Sequence, residues 1–126
     1  MKNTFFEVAV PVPPWSMEEA LIAMDGNPDL LVKVAGLLLK QLDVDLPLIR
    51  GYVHAKETGR LKDRSHRLKG SLSAIAATPA FAACAVLNEF AVDAQTLRYR
   101  DGLERLEREV NRLRPYLNQV ISKQKA

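Results

Sequence analysis

A single imidazole stands in the run Ser65-His66-Arg67-Leu68-Lys69-Gly70-Ser71, among small and cationic side chains. On a helix at about 100° per residue, Leu61, Leu68, Leu72 and Ile75 form one apolar stripe, and His66 falls roughly 140° around from it. The ring is therefore expected to face water. On the same projection Gly59, Gly70, Ser73 and Ala77 lie within about 40° of His66, with Lys62 and Lys69 a little further round. None of these side chains is bulky enough to screen the ring. A solvated imidazole is largely neutral at cytoplasmic pH and nucleophilic at one nitrogen, so it can take a phosphoryl group. The resulting N-phosphate is labile, which suits passing the group on better than storing it. Phosphoryl transfer asks for in-line approach and charge stabilisation rather than an elaborate catalytic apparatus. Gly70, one turn on, leaves room for a partner's backbone. Lys69 and Lys62 are placed to neutralise anionic oxygens and to attract an acidic pocket.

Caps and breakers outline the elements that must hold this face. Phe5 to Trp15, with Pro11, Pro13 and Pro14, cannot be helical and is expected to form an extended strap. Its Phe5, Phe6 and Trp15 are expected to pack on the helices. Ser16-Met17-Glu18-Glu19 reads as a capping box opening a short helix through Met24, ended by Asp25-Gly26. Asn27-Pro28 then supplies an N-cap and first-turn proline for a long helix through about Glu57, with Leu31, Val34, Leu38, Leu42, Ile49, Tyr52 and Val53 inward. Pro47 should kink or briefly open it. Thr58-Gly59 is expected to close it, and the His66 helix to run from about Arg60 to Ala77. Thr78-Pro79 repeats the cap-plus-proline signal before a helix whose Phe81, Cys84, Leu87 and Ala91 face the core. After a connection near Asp93 to Asp101, Leu103, Leu106, Val110, Leu113, Leu117 and Val120 mark a last helix. Their phase survives across Pro115, which favours one kinked helix over two.

The expected fold is all-α: an antiparallel four-helix bundle (residues 16–126) with a short N-terminal capping helix, preceded by the extended strap (residues 1–15). At 126 residues the chain is long enough for one core and too short for two. A single cysteine excludes an intramolecular disulfide and fits a reducing compartment. Met1 to Trp15 makes a poor signal peptide, and no apolar run approaches the roughly 20 residues that span a bilayer. A cytoplasmic protein with no membrane association is expected. Met1 leans toward a free-standing protein, and the inward use of the apolar stripes toward a monomer.

The motif residues also resemble a known family, the histidine-containing phosphotransfer (HPt) domains of two-component phosphorelays, whose signature helix carries His-x-Leu-Lys-Gly-Ser. Here it reads His66-Arg67-Leu68-Lys69-Gly70-Ser71. Downstream, Ile75-Ala76-Ala77 and Phe81-Ala82-Ala83-Cys84-Ala85-Val86-Leu87-Asn88-Glu89 are similar to the family's Ile-Gly-Ala helix end and its Leu-x-x-Cys-x-x-Leu-Glu pattern. Glu18 to Leu39 resembles its first helix, Gly-Asn-Pro-Asp junction and second helix. The chain departs from the pattern at Ala76, where glycine is commoner, at Asn88-Glu89, where the acidic residue is shifted by one, and at Ser65, where alanine is frequent. The resemblance implies that His66 accepts a phosphoryl group from the aspartate of a receiver domain, on a response regulator or a hybrid sensor histidine kinase. The group then passes to another response regulator. It implies no intrinsic cofactor, the Mg2+ being brought by the receiver. Lys69 would stabilise phosphoryl charge and Gly70 admit the partner. Lys62, Arg64, Arg67, Ser73 and Ala77 would contact it, with the docking surface extending onto the second helix.

The chain carries no nucleotide-binding motif and no Cys/His/Asp cluster at metal-ligand spacing, so autokinase activity and a bound metal are not expected. An alternative is an interaction module that binds a receiver or kinase through the same face without transferring phosphate. The net charge of +3 and the arginines of Arg98 to Arg114 raise a nucleic-acid reading. Glu104, Glu107 and Glu109 interleave with those arginines, however, and describe a solvent face laced with ion pairs, so no nucleic-acid partner is expected. His54 lacks a comparable neighbourhood and reads as incidental. Cys84 reads as a small buried hydrophobe, and Trp15 as an anchor.

Overall fold

The computed structural model describes residues 12–125. It is all-helical, with no strand among the described residues: α1 (Met17–Ala23), α2 (Pro28–Ala55), α3 (Thr58–Ala74), α4 (Thr78–Val92), a 3₁₀ turn (Thr96–Arg98) and α5 (Tyr99–Lys125). The start signals work as their chemistry requires. Ser16 Oγ accepts from the Glu19 backbone N–H at 3.3 Å to cap α1. Asn27 Oδ1 does the same for α2 from Leu30 N–H at 3.0 Å, with Pro28 following at the first helical position.

Helix ends depart from the expectations where non-glycine residues take the left-handed backbone. Lys56, at φ 55°, ends α2, and Thr58-Gly59 open α3 rather than closing the helix before it. Ala76, at φ 58°, stands just beyond the end of α3, so Ala77 belongs to the junction and not to the His66 helix. Glycine is favoured at such a position because it has no Cβ to clash. Thr78 lies inside the first turn of α4 and makes no cap bond to it; the cap position is Ala77. Both internal prolines are tolerated within unbroken helices. Pro47 and Pro115 are exposed, as are Asp43 and Asn111 four residues earlier, so the carbonyls deprived of a donor are not sealed in the core.

The four long helices pack in a ring in chain order, α2 on α3, α3 on α4, α4 on α5, and α5 back on α2, with α1 against α2. Leu31, Leu38, Leu42 and Ile49 of α2 meet Leu61, Leu68 and Leu72 of α3, Leu87 of α4 and the whole expected stripe of α5 in one buried cluster. Each such leucine contributes about 2 kcal/mol by leaving water. Val34, Tyr52 and Phe81 are only partly buried at its edge. The most extensive contact joins α3 to α4, where Ala80, Ala83 and Cys84 are buried and let the backbones approach. Gly102 serves the α4–α5 contact: a Cβ there would stand 3.0 Å from Leu87 Cδ1 and 3.2 Å from Phe90 Cδ2.

Of the strap, Phe5 and Phe6 lie outside the described residues. Val12 to Ser16 precede α1 without helix, and Pro14 and Trp15 are buried. Trp15 Nε1 donates to the Ile75 carbonyl at 2.9 Å, anchoring the segment to the end of α3. At the opposite end Thr58 Oγ1 and the hydroxyl of buried Tyr99 share a hydrogen bond of 2.8 Å, tying the start of α5 to the start of α3. The His66 helix is thus fixed at both ends.

Candidate functional site

The wet face of α3 follows from its buried one. With Leu61, Ser65, Leu68 and Leu72 inward, the side chains of Lys62, Asp63, His66, Arg67 and Ser73 are exposed, and so is Gly70. His66 lies in the wall of a groove of about 450 Å³ between α3 and α4, together with Lys62, Asp63, Arg67, Asn88 and Val92. A Cβ at Gly70 would meet nothing within 4 Å, so the surface one turn beyond the imidazole is open. Lys62, His66, Lys69 and Ser73, spaced by four, three and four, share the α4-side flank of the helix. Lys69 is half-buried and outside the groove wall. Neither Lys62 nor Lys69 has an ion-pair partner among the described residues.

Two expected partner-binding residues sit elsewhere. Ala77 is fully buried, because α3 stops at Ala74 and the chain turns inward before α4. Arg64 is committed to α2: its guanidinium donates to Asp45 Oδ1 at 3.0 Å, and Gln41 donates to Oδ2 of the same buried carboxylate at 3.0 Å. Burial disfavours the Arg64 charge, but the hydrogen bond and field of Asp45, with a smaller contribution from Tyr52, hold it above its ordinary value. Arg64 is thus a structural cation rather than a free rim contact. Ser71, half-buried, donates to the Arg67 carbonyl within α3 at 3.4 Å.

A buried polar cluster supports the flank that carries His66. Ser65 Oγ donates to the Leu61 carbonyl at 2.7 Å and accepts from Asn88 Nδ2 at 3.0 Å. The same amide nitrogen donates to the Lys62 carbonyl at 2.9 Å, and Cys84 Sγ donates to the Ser65 carbonyl at 3.3 Å. Desolvation pushes the Cys84 thiol up to about 12; Lys69 opposes this and Asp45 adds to it. The thiol is therefore a packed, protonated group. Asn88, Asp63 and Val92 were not singled out by the sequence reasoning as site residues. Spacing along α3 could have found Asp63, whereas Asn88 and Val92 come from a second helix whose register no single-helix projection provides.

Chemically, the arrangement offers an accessible imidazole, open approach beyond it, and, on its flank, ammonium groups with no ion-pair partner among the described residues. Among the described residues no group of three or more His, Cys, Asp or Glu side chains is arranged to hold a metal ion. No described helix is long and apolar enough to cross a membrane. On α5, Glu107 pairs with Arg50 of α2, Arg112 with Glu109, and Arg114 with Asp43 at 3.0 Å. No protein-family model, no curated protein and no solved structure matches the chain.

Proposed function

We propose that this chain is a histidine phosphotransfer protein of the HPt kind: it accepts a phosphoryl group on His66 from a receiver aspartate and delivers it to another response regulator. The observation that carries the reading is the setting of His66, an exposed imidazole beside open Gly70 and on the same flank as Lys62 and Lys69, which have no ion-pair partner among the described residues. In the transfer, an unprotonated imidazole nitrogen attacks phosphorus in line. The N–P bond forms as the P–O bond to the aspartate breaks, and the carboxylate departs. Lys69 and Lys62 offset the charge on the phosphoryl oxygens, and Arg67 and Ser73 border the docking surface. The receiver supplies the Mg2+ and the chain supplies no cofactor and no autokinase activity. The ring of four long helices fits an antiparallel four-helix bundle, because short connections leave successive helices antiparallel. A monomer working in the cytoplasm, without a nucleic-acid or membrane partner, completes the proposal.

The test is transfer from a panel of phosphorylated receiver domains to the wild type and to His66→Gln, reading acid-labile, base-stable label. Label on the wild type and none on the variant is the expected result. Receivers that bind the wild type without labelling it would leave the non-transferring interaction module in its place.

A further inference from the structure

Only 6% of Asn88 is exposed, yet it lines the groove between α3 and α4. Its amide orientation is fixed by its partners. A backbone carbonyl can only accept, so the nitrogen must face Lys62 O, at 2.9 Å, and the same nitrogen reaches Ser65 Oγ at 3.0 Å. Asn88 Oδ1 is left with no hydrogen-bond partner among the described residues. Every side-chain nitrogen or oxygen sealed from solvent among those residues has a partner, so Oδ1 is not sealed and opens into the groove. The buried amide, held by its nitrogen, thus presents a fixed acceptor to whatever enters.

The rest of the wall has the make-up of a small-molecule site. Its volume of about 450 Å³ falls within the range of about 300–1,000 Å³ that ligand clefts occupy. Val92 supplies exposed apolar surface that a planar ring can cover. Lys62, one turn before His66, and Arg67, directly after it, have no ion-pair partner among the described residues and outnumber the one carboxylate of the wall, Asp63. The groove therefore suits a molecule with an anionic group, an apolar body and an N–H donor held away from the anion, because a bare amide oxygen repels negative charge. We propose that it binds a purine nucleoside monophosphate bearing an exocyclic amine. The phosphate pairs with Lys62 and Arg67, the base lies on Val92, and the amine donates to Asn88 Oδ1. A nucleotide seated there covers His66 and keeps a receiver away from it. That regulatory consequence rests on the function proposed above; the binding itself does not.

The experiment is a titration of the ¹⁵N-labelled full chain with adenosine monophosphate, followed by ¹H–¹⁵N correlation spectra. Saturable shifts are expected at the Asn88 side-chain amide and at the backbone amides of His66 and Val92. Purine riboside monophosphate, which lacks the amine, and adenosine, which lacks the phosphate, should each bind about tenfold more weakly. Lys62 and Arg67 are exposed, so Lys62→Ala and Arg67→Ala leave the fold intact; both should weaken the monophosphate and leave adenosine unchanged. Absence of saturable shifts at the three residues overturns the proposal, and so does equal binding of the two monophosphates. In the receiver assay, labelling of His66 should fall over the same concentration range; undiminished labelling at saturation would overturn the regulatory role. Nucleotide binding by a chain that no receiver labels would keep the site and remove the relay. Labelling of a chain that binds no nucleotide would do the opposite.

Discussion

The two flanks of α3 treat charge in opposite ways. Toward α2, two cations are spent: Arg64 is bound to the buried carboxylate of Asp45, and Arg60, one turn earlier on that flank, pairs with Glu57 at 3.2 Å; Arg67, on the outer edge of that flank, has no ion-pair partner among the described residues. Toward α4, Lys62 and Lys69 have no ion-pair partner among the described residues, and His66 lies between them. The first flank uses two of its charges to fix helix structure, whereas the second keeps both of its charges available. One helix can combine both because the α4 side is fixed by neutral groups instead, through Ser65, Asn88 and Cys84.

The largest effect is expected at Gly70. Because nothing stands within 4 Å of a Cβ there, Gly70→Arg is accommodated by the fold and fills only the space that the proposed receiver would enter. Receiver-to-protein transfer should be abolished while helical circular dichroism and the unfolding midpoint stay near wild type. Transfer at the wild-type rate would show that the partner approaches from elsewhere. The next effect separates the flanks directly. Lys69→Ala should slow transfer about tenfold, a loss of about 1.4 kcal/mol in transition-state stabilisation, and more at low salt than at high. Stopped-flow transfer at two ionic strengths checks it, and a rate unchanged at both would remove Lys69 from the site.

The core faces of the helices and the exposure of His66 were legible in the sequence because both depend on one periodicity, that of Leu61, Leu68 and Leu72 on α3 and of Leu103 through Val120 on α5. Ser16 and Asn27 were legible because a cap is a local bond. What escaped lies between elements or in the backbone. Arg64 stands at the edge of the wet arc, and only the register of α2 brings Asp45 to it. Asn88 looks like an ordinary polar residue until the packing of α3 on α4 places its amide on the Lys62 carbonyl. Lys56 and Ala76 take the left-handed turn that glycine signals elsewhere, which shifted both ends of α3.

The dry side of the α3–α4 contact has its own signature in pH. Burial raises the Cys84 thiol from 9.0 to about 12. The unfolded chain therefore loses that proton first, and the thiol's contribution to stability is intact below about pH 9 and lost as pH rises through about 12. Over that window the denaturation midpoint of the wild type should fall more steeply than that of Cys84→Ala. Parallel curves would mean that the thiol is not sealed.

The smallest effect is expected from the spent flank, and it sets the comparison's limit. Arg60 is exposed and its pair with Glu57 spans three residues at the start of α3, so water and salt screen most of its attraction. Arg60→Ala should change stability by no more than about 0.5 kcal/mol and leave the transfer rate unaltered. Lys69→Ala removes the same unit of charge from the same helix, so total charge cannot explain a difference between the two variants. If Arg60→Ala slowed transfer as much as Lys69→Ala, the partner would be sensing the overall field of α3. The distinction between its flanks would then be structural only.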